Sequence, residues 1–396
     1  MTPAGSSNTA RRPSRGSAAR GSPQGRRAFN PTQIFYIFGG NKNMDVLLIV
    51  ILLILFAILV FSVISGLMES YQDKSLAVFQ FFHKNLDREV DPVTARYFSK
   101  FNEATIEKEL RNYMNQCRTG RNFLQDKAIV LAGLIRNAED NIPFLRSVYH
   151  DMRLASRRTA FLIVENNSTD GTREKLLAWN AEDPTVTVLC DLDKPPNEPS
   201  CRLDGHEHFY QDKSPSTNRI RKLAYLRNIY LDYIEKMPEF SGYDFLIVMD
   251  LDLQGRLFMD GIYHSFYHFE KEPDTSAIAC NGMIRDANNR FVYYDSFAFA
   301  EIGDQTEWNT DFDKSSHDQD VLLYTTERYS RDMSLHKVAS AFGGMCIYRL
   351  SEFRERKNRY THSSDNRLSC EHVHFNKHFK NFYVNPKMMF LIDRNP

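Results

Sequence analysis

The chain has 396 residues with 50 basic and 50 acidic side chains, so its formal net charge is zero. That balance excludes a surface that is cationic throughout, and with it a general nucleic-acid binder. Hydrophobic residues at 42% and aromatics at 13% exclude a wholly disordered chain, and the length fits one large domain with appendages.

The neutral total is a cancellation. Arg11, Arg12, Arg15, Arg20, Arg26, Arg27 and Lys42 precede the first apolar run, against one acid, Asp45. This leader is rich in Ser, Gly, Pro, Ala and Arg and cannot bury a core, so residues 1–44 are expected to be a disordered cytosolic tail. Val46–Met68 then reads VLLIVILLILFAILVFSVISGLM, with no charge and no polar stripe of the kind a soluble core helix shows. At about 1.5 Å per residue it covers a hydrocarbon core of roughly 30 Å, and residues 45–68 are assigned as a transmembrane signal anchor. The cations lie before the span, while Glu69 and Asp73 follow it. The positive-inside rule then places the bulk of the chain across a lipid bilayer from its N-terminus, as a single-pass type II protein. All six cysteines follow the span, where an oxidising lumen permits disulfides. Cys190 and Cys201, flanking a Pro-rich loop, are the favoured pair.

Residues 69–126 are polar and mixed in charge, with a helical pattern in Val93–Arg118, and read as a stem and the start of the lumenal fold. From Lys127 strand and helix patterns alternate through residues 127–396. AIVLAGLI is a continuous apolar run suited to a strand buried on both faces, followed by helical spacing over Ile142–Leu154. FLIVE is a second strand, a helix starts at Thr172, VTVLC is a third strand, and Asn218–Met237 is helix-like. DFLIVMDLD is a fourth strand. This order predicts an α/β fold with a mostly parallel sheet and flanking helices, whose ligands gather at the carboxyl ends of the strands.

The motifs sit at those ends. In VENNSTDGT, the small polar residues make a turn and cap a helix, whereas Glu165 at a strand terminus suits ribose hydroxyls or a base N–H. The overlapping sequons at Asn166 and Asn167 are expected to be unused. In FLIVMDLDLQG, Asp250 and Asp252 are two residues apart in extended chain and face one side. Two carboxylates so close repel unless a cation lies between them, which points to Mg²⁺ or Mn²⁺. An acidic cluster of Asp311, Asp313, Asp318 and Asp320 lacks the glycine and terminal glutamate of an EF-hand and reads as solvated surface. Trp308 nearby reads as a packing residue, with sugar stacking as the alternative. AFGGM supplies two glycines where backbone can approach a ligand closely, or an ordinary turn. SCEHVHF closes the series.

Taken in order, AGLIRNAEDN, VENNSTDGT, KLAYLRN, MDLDLQG, AFGGMCIY and SCEHVHF resemble the GT-A nucleotide-sugar glycosyltransferases over about Lys127–Phe379. Within them the series is most similar to the CAP59-type α-mannosyltransferases. The resemblance implies a Rossmann-like GT-A domain, with Arg136 or Asn137 and Glu165 near the nucleoside. It implies Arg227 and Asn228 near the diphosphate, and Gly343 and Gly344 lining the sugars. Asp250 and Asp252 would hold Mn²⁺ (or Mg²⁺), with His372 or His374 as a further ligand. Glu371 and Asp252 are the catalytic candidates, Glu371 as general base if the enzyme inverts. The usual two-acid pair is here Glu371-His372, a departure from the pattern. The CAP59 likeness itself implies an α linkage made with retention, in which case Glu371 orients the acceptor or binds the sugar. The expected donor is a nucleoside-diphosphate sugar, GDP-mannose first, the acceptor a glycan or glycoconjugate, and the location the Golgi or endoplasmic reticulum membrane. The rival readings are an inactive, membrane-tethered carbohydrate-binding scaffold and a phosphotransferase; no P-loop motif supports the latter.

Overall fold

The computed structural model describes residues 49–63, 103–203, 217–285, 291–308, 333–356, 358–363 and 367–393. The chain divides into two units, Met1–Phe61 and Ser62–Pro396. Residues 49–63 are helical, with large apolar side chains such as Leu53, Phe56 and Phe61 exposed. Among the described residues no helix is long and apolar enough to cross a membrane. The expected tail (residues 1–44), residues 45–48 and 64–68 of the expected anchor, residues 69–102 of the expected stem, and the acidic cluster from Asp311 to Asp320 lie outside the described residues.

The first element described wholly within the second unit is α1 (Glu103–Gln125), which runs further than the sequence pattern suggested, while residues 93–102 of that pattern lie outside the described residues. Its position is set by packing on α5 (Met259–Lys271). The two backbones meet at Gly120, where a side chain would lie 1.8 Å from the Tyr263 carbonyl oxygen. Alternation then follows: β1 (Ala128–Ile135), α2 (Ile142–Ala155), β2 (Arg158–Glu165), α3 (Thr172–Glu182), β3 (Val186–Leu189), α4 (Thr217–Lys236) and β4 (Phe245–Met249). Pro143 is tolerated in α2 because it falls in the first turn, where its missing N–H has no intrahelical role. After β4 come β5 (Gly255–Leu257), α5, β6 (Ala277–Arg285), β7 (Phe291–Tyr293) and β8 (His336–Lys337). The remaining elements are β9 (Met345–Arg349), α6 (Leu350–Arg356), α7 (Glu371–Asn376) and β10 (Phe382–Ile392).

One sheet of ten strands unites these, in the order β3-β2-β1-β4-β9-β6-β10-β5, with β7 on β6 and β8 on β10. The expectation of a mostly parallel sheet is corrected to a mixed one. β1 to β4 are parallel neighbours, but β9 runs antiparallel to both β4 and β6, and β5, β7 and β8 are antiparallel to their partners. Parallel pairing needs a crossover, which α2, α3 and α4 supply in the first half. β6 and β7 are joined too closely for one, so the chain reverses. β10 returns parallel to β6, with a register shift between Asn385 and Met389. Pro386 falls in that shift, where a strand tolerates a residue without an N–H.

Burial explains why the inner strands carry no polar alternation. Ala128, Val130, Ala132, Leu246 and Val248 feed the core on one face, and Ile129, Leu131, Ile135, Phe245, Ile247 and Met249 feed the core on the other. At roughly 1.5–3 kcal/mol for each large side chain buried, β1 and β4 are fixed rigidly at the centre. The ends of these two strands carry the chemistry.

Candidate active site

The chain leaves β4 at Met249 and places Asp250 and Asp252 in a cleft of about 300 Å³. Three contacts hold this turn. The Asp250 N–H donates to the Gly344 carbonyl at 3.0 Å. From the start of α2 the buried Asn141 amide donates to the carbonyls of Leu251 (2.5 Å) and Leu253 (2.8 Å), one on each side of Asp252. Asp252 itself stands open to the cleft.

Arg227 of α4 ties the site together. Its guanidinium is buried over the rings of Phe342 (5.4 Å) and Tyr360 (5.7 Å). Nε donates to Glu371 Oε1 at 3.0 Å and Nη2 to Asp250 Oδ1 at 3.2 Å, while Nη1 is buried without a partner. Burial works against its charge, but Glu371, Tyr230 and Asp250 more than offset this and hold the pKa well above the ordinary value. Tyr294 donates its hydroxyl to the other Asp250 oxygen, Oδ2, at 3.2 Å.

Three carboxyl groups of the cleft, Asp250, Asp252 and Asp295, are pushed toward their protonated forms. Burial raises Asp250 to about 6, with Arg227 opposing and Asp252 adding to the rise. Asp252 is raised as well, by desolvation from the surrounding walls, although its side chain reaches solvent. Asp295 is raised to about 8, by burial first and then by Asp250 and Glu371. Such a crowd of acids fits a divalent ion. Asp250 and Asp252 are hard oxygen donors from one turn, and an ion of this kind takes one or two carboxylates and completes its shell with substrate phosphates and water. Among the described residues no group of three or more His, Cys, Asp or Glu is placed to hold a metal ion, so any such ion would rest on fewer protein ligands.

His372 lines the same cleft, stacked on Phe342 at 3.9 Å, with both ring nitrogens buried and unpartnered. Burial and Arg227 lower its pKa well below the ordinary value, which leaves a neutral imidazole with a lone pair to offer. His374 departs from the sequence expectation. It lies outside the cleft lining, and its Nδ1 meets Lys377 Nζ at 3.3 Å.

Other expected residues are also placed elsewhere. Glu165 is fully buried in an ion pair with Arg173 and accepts the Ser168 N–H at 2.6 Å, so it braces the β2–α3 turn and does not line the cleft. Asn137, at φ 48°, accepts the Thr169 N–H at 2.7 Å and joins the β1 and β2 turns. Asn228 is saturated by the Tyr360 backbone, donating to its carbonyl and accepting its N–H, both at 2.9 Å. Gly343 and Gly344, at φ 62° and 85°, lie beneath the site. A side chain on Gly343 would meet the Cys280 carbonyl oxygen at 2.3 Å, so the glycines allow close backbone packing and their carbonyl fixes Asp250. Glu371 does line the cleft, where it is buried and anchors the Arg227 guanidinium. Trp308 is buried and bridges Leu368, as a packing residue.

The sequence did not single out Asn141, Tyr294, Asp295 or Lys222. Lys222 is buried, and desolvation, then Arg136 and Arg219, lower its pKa to about 7. Arg219 lines the cleft, so positive charge gathers on its α4 side. The run RIRKLAYLRN, dense in cations for a helix that packs on the sheet, was the available signal.

A protein family described as Cryptococcal mannosyltransferase 1 matches residues 128–377. The chain belongs to this glycosyltransferase family. The match spans the sheet from β1 through α7, and so takes in every cleft residue described above. Among curated proteins no match was found. Similar solved structures include the mannosyltransferase PcManGT from Pyrobaculum calidifontis in complex with GDP-Man and Mn²⁺, at 12% identity and a TM-score of 0.39, covering 70% of this chain and 64% of that one. S. aureus TarS 1-349 in complex with UDP-GlcNAc matches at 11% identity and 0.35, covering 68% and 59%. Mannosyl-3-phosphoglycerate synthase from Rubrobacter xylanophilus matches at 11% and 0.31, covering 60% and 58%. The chain thus spans less than two thirds of the length of each of these structures.

Proposed function

We propose that this protein transfers a hexose, mannose in the first instance, from a nucleoside-diphosphate sugar to a glycan hydroxyl, with GDP-mannose and Mn²⁺ (or Mg²⁺) as donor and ion. The observation that carries the reading is the convergence of Asp250, Asp252 and the buried Arg227 in one cleft. Asp250 and Asp252 would hold the ion, and among the described residues no third His, Cys, Asp or Glu is placed to join them. A bound divalent ion supplies neutralisation of the charge that develops on the leaving diphosphate. Arg227 contributes fixed positive charge to the same region through the unpartnered Nη1, and the low-dielectric rings around it strengthen that effect. Arg219 adds a cation on the α4 side of the cleft, where a diphosphate would be drawn. Asn141 and Gly344 keep the two aspartates in place without touching substrate.

The same reading makes the protein a single-pass type II enzyme of the Golgi or endoplasmic reticulum membrane. The apolar run at Val46–Met68 and the cations before it support that orientation. So does the disulfide between Cys190 and Cys201, which suits an oxidising lumen. Protease protection of the C-terminal part in sealed vesicles is the expected outcome.

The deciding experiment uses the full chain in detergent, with a panel of nucleotide sugars and Mn²⁺, reading donor hydrolysis and transfer to glycans. Turnover with one donor that is abolished by chelation and lost in Asp252→Asn is expected. Unchanged turnover in that variant sinks the ion assignment, and no turnover with any donor favours the carbohydrate-binding scaffold.

A further inference from the structure

Asp250 is held on both carboxylate oxygens, by unlike partners. Oδ1 accepts from Arg227 Nη2 and Oδ2 from the Tyr294 hydroxyl, both at 3.2 Å. Arg227 is a cation, and its charge opposes the approach of any further cation. Tyr294 is neutral, so it orients the same carboxylate without repelling an ion. One hydrogen bond leaves each carboxylate oxygen a lone pair to spare, so Asp250 keeps acceptor capacity on the side away from its two donors. Asp252, two residues on, stands open to the same cleft.

The backbone that carries the Tyr294 hydroxyl closes on Asp250 itself. β7 pairs with β6 at Tyr293 and Met283, and the Tyr294 N–H donates to the Gly282 carbonyl at 2.9 Å. Gly282 lies against Gly343, where a side chain on Gly282 would stand 2.1 Å from the Gly343 carbonyl oxygen. The next carbonyl, that of Gly344, accepts the Asp250 N–H at 3.0 Å. A closed circuit thus runs from Tyr294 through Gly282, Gly343 and Gly344 to Asp250, and back through the hydroxyl. Immediately after Tyr294 the chain leaves the strand at Asp295, in the left-handed region at φ 62° and ψ 48°, and enters a 3-10 turn at Ser296–Ala298. A residue other than glycine holds that conformation only where its surroundings fix it. Tyr294 is therefore clamped by a strand pair before it and by a fixed turn after it. A side chain locked in this way holds a metal-binding carboxylate within the narrow tolerance that an ion demands.

We propose that Tyr294 is a positioning residue of the ion site, its hydroxyl holding the Asp250 carboxylate in the orientation that a divalent ion shared with Asp252 requires. This rests on the reading of Asp250 and Asp252 as ion ligands given above. Tyr294 acts through Asp250, not on the sugar.

The test titrates Mn²⁺ alone into the full chain in detergent and reads free Mn²⁺ by electron paramagnetic resonance, well below the melting temperature of each variant. The wild type should bind Mn²⁺, and Asp252→Asn should lose it. Tyr294→Phe keeps the ring and its packing and removes only the hydroxyl. It should weaken Mn²⁺ about tenfold or more, the usual cost of deleting a hydrogen bond to a metal ligand. Tyr348→Phe is the comparison, because it removes another tyrosine hydroxyl, one that donates to Asn376 Oδ1 at 2.9 Å in the core. Its Mn²⁺ affinity should stay within about twofold of the wild type. No Mn²⁺ bound by the wild type refutes the ion reading itself, and the role of Tyr294 with it. Mn²⁺ bound equally by the wild type and Tyr294→Phe refutes the positioning role alone. Tighter binding by Tyr294→Phe also overturns it, since the hydroxyl would then compete with the ion for Asp250. Equal weakening in Tyr348→Phe would assign the loss to the stability of the domain and overturn the proposal as well.

Discussion

Removing the Arg227 guanidinium leaves two carboxylates without their cation. In Arg227→Met the stem is replaced by a side chain of similar length, so packing between Phe342 and Tyr360 changes little, but Glu371 (3% exposed) and Asp250 (18% exposed) lose a shared partner. Breaking a buried pair from one side costs about 3–5 kcal/mol, a large share of the whole stability of a domain. Replacing both members costs far less. Arg227→Met combined with Glu371→Leu should recover to within about 1–2 kcal/mol of the wild type, since only the better-solvated Asp250 remains uncompensated. The pH dependence gives a second check. Burial already raises the native pKa of Asp250 to about 6 against the opposing Arg227, and without Arg227 it rises further, so over a wider range the native state holds a proton that the unfolded state has lost. Stability then falls as pH rises from about 4 through the new native pKa, and the deficit of Arg227→Met should be smaller at pH 5 than at pH 7.5. Urea unfolding of both variants at the two pH values, read by tryptophan fluorescence, supplies the numbers. A single variant as stable as the wild type, or a double variant less stable than Arg227→Met, would refute the view that this network is held by mutual compensation.

Asp295 gives a stability prediction of opposite sign. With its native pKa raised to about 8, the protonated form is favoured by folding, and stability declines between pH 4 and 8. Asp295→Asn should abolish that decline and gain roughly 3 kcal/mol at neutral pH, with no gain near pH 4; a variant that melts lower than the wild type at pH 7 contradicts it. Asn141→Ala removes both donors from the Asp252 turn, and should cost about 1–3 kcal/mol in stability and about tenfold in donor turnover, measured well below the melting temperature. Glu165→Gln strands the buried Arg173 and should cost about 3 kcal/mol, while the donor KM stays within about twofold. A tenfold rise in donor KM would return Glu165 to the nucleoside site.

The first half of the sheet was legible in the sequence because burial on both faces leaves no other reading. AIVLAGLI is β1 from end to end, and the four strand and helix alternations up to β4 stand where the pattern put them. Strand direction in the second half was not legible. An apolar run such as MCIYR states that it is buried, not which way it runs, and β9 is antiparallel to both neighbours. At the site, the two aspartates could be read from spacing, since side chains two apart on extended chain share a face. Glu165 misled for a local reason. A carboxylate at a strand end suits a ribose equally well, and its partner Arg173 is the second residue of the next helix. Tyr294 and Asp295 carry no signal at all in YYDS. Their importance comes from a left-handed backbone and from acids that are distant in sequence.

The central position of β4 has a consequence for how the protein comes to be made. Its hydrogen-bonded neighbours, β1 and β9, lie roughly a hundred residues away along the chain in either direction, so neither edge of the strand has a local partner. β1 is made before β4 and can pair with one edge of it, but the other edge has no partner until β9 has been synthesised. The turn that carries Asp250 and Asp252, whose backbone bonds to Gly344 just before β9, is complete only once that later segment is in place. An unpaired apolar edge such as FLIVM is the kind of surface on which non-native strand pairing begins.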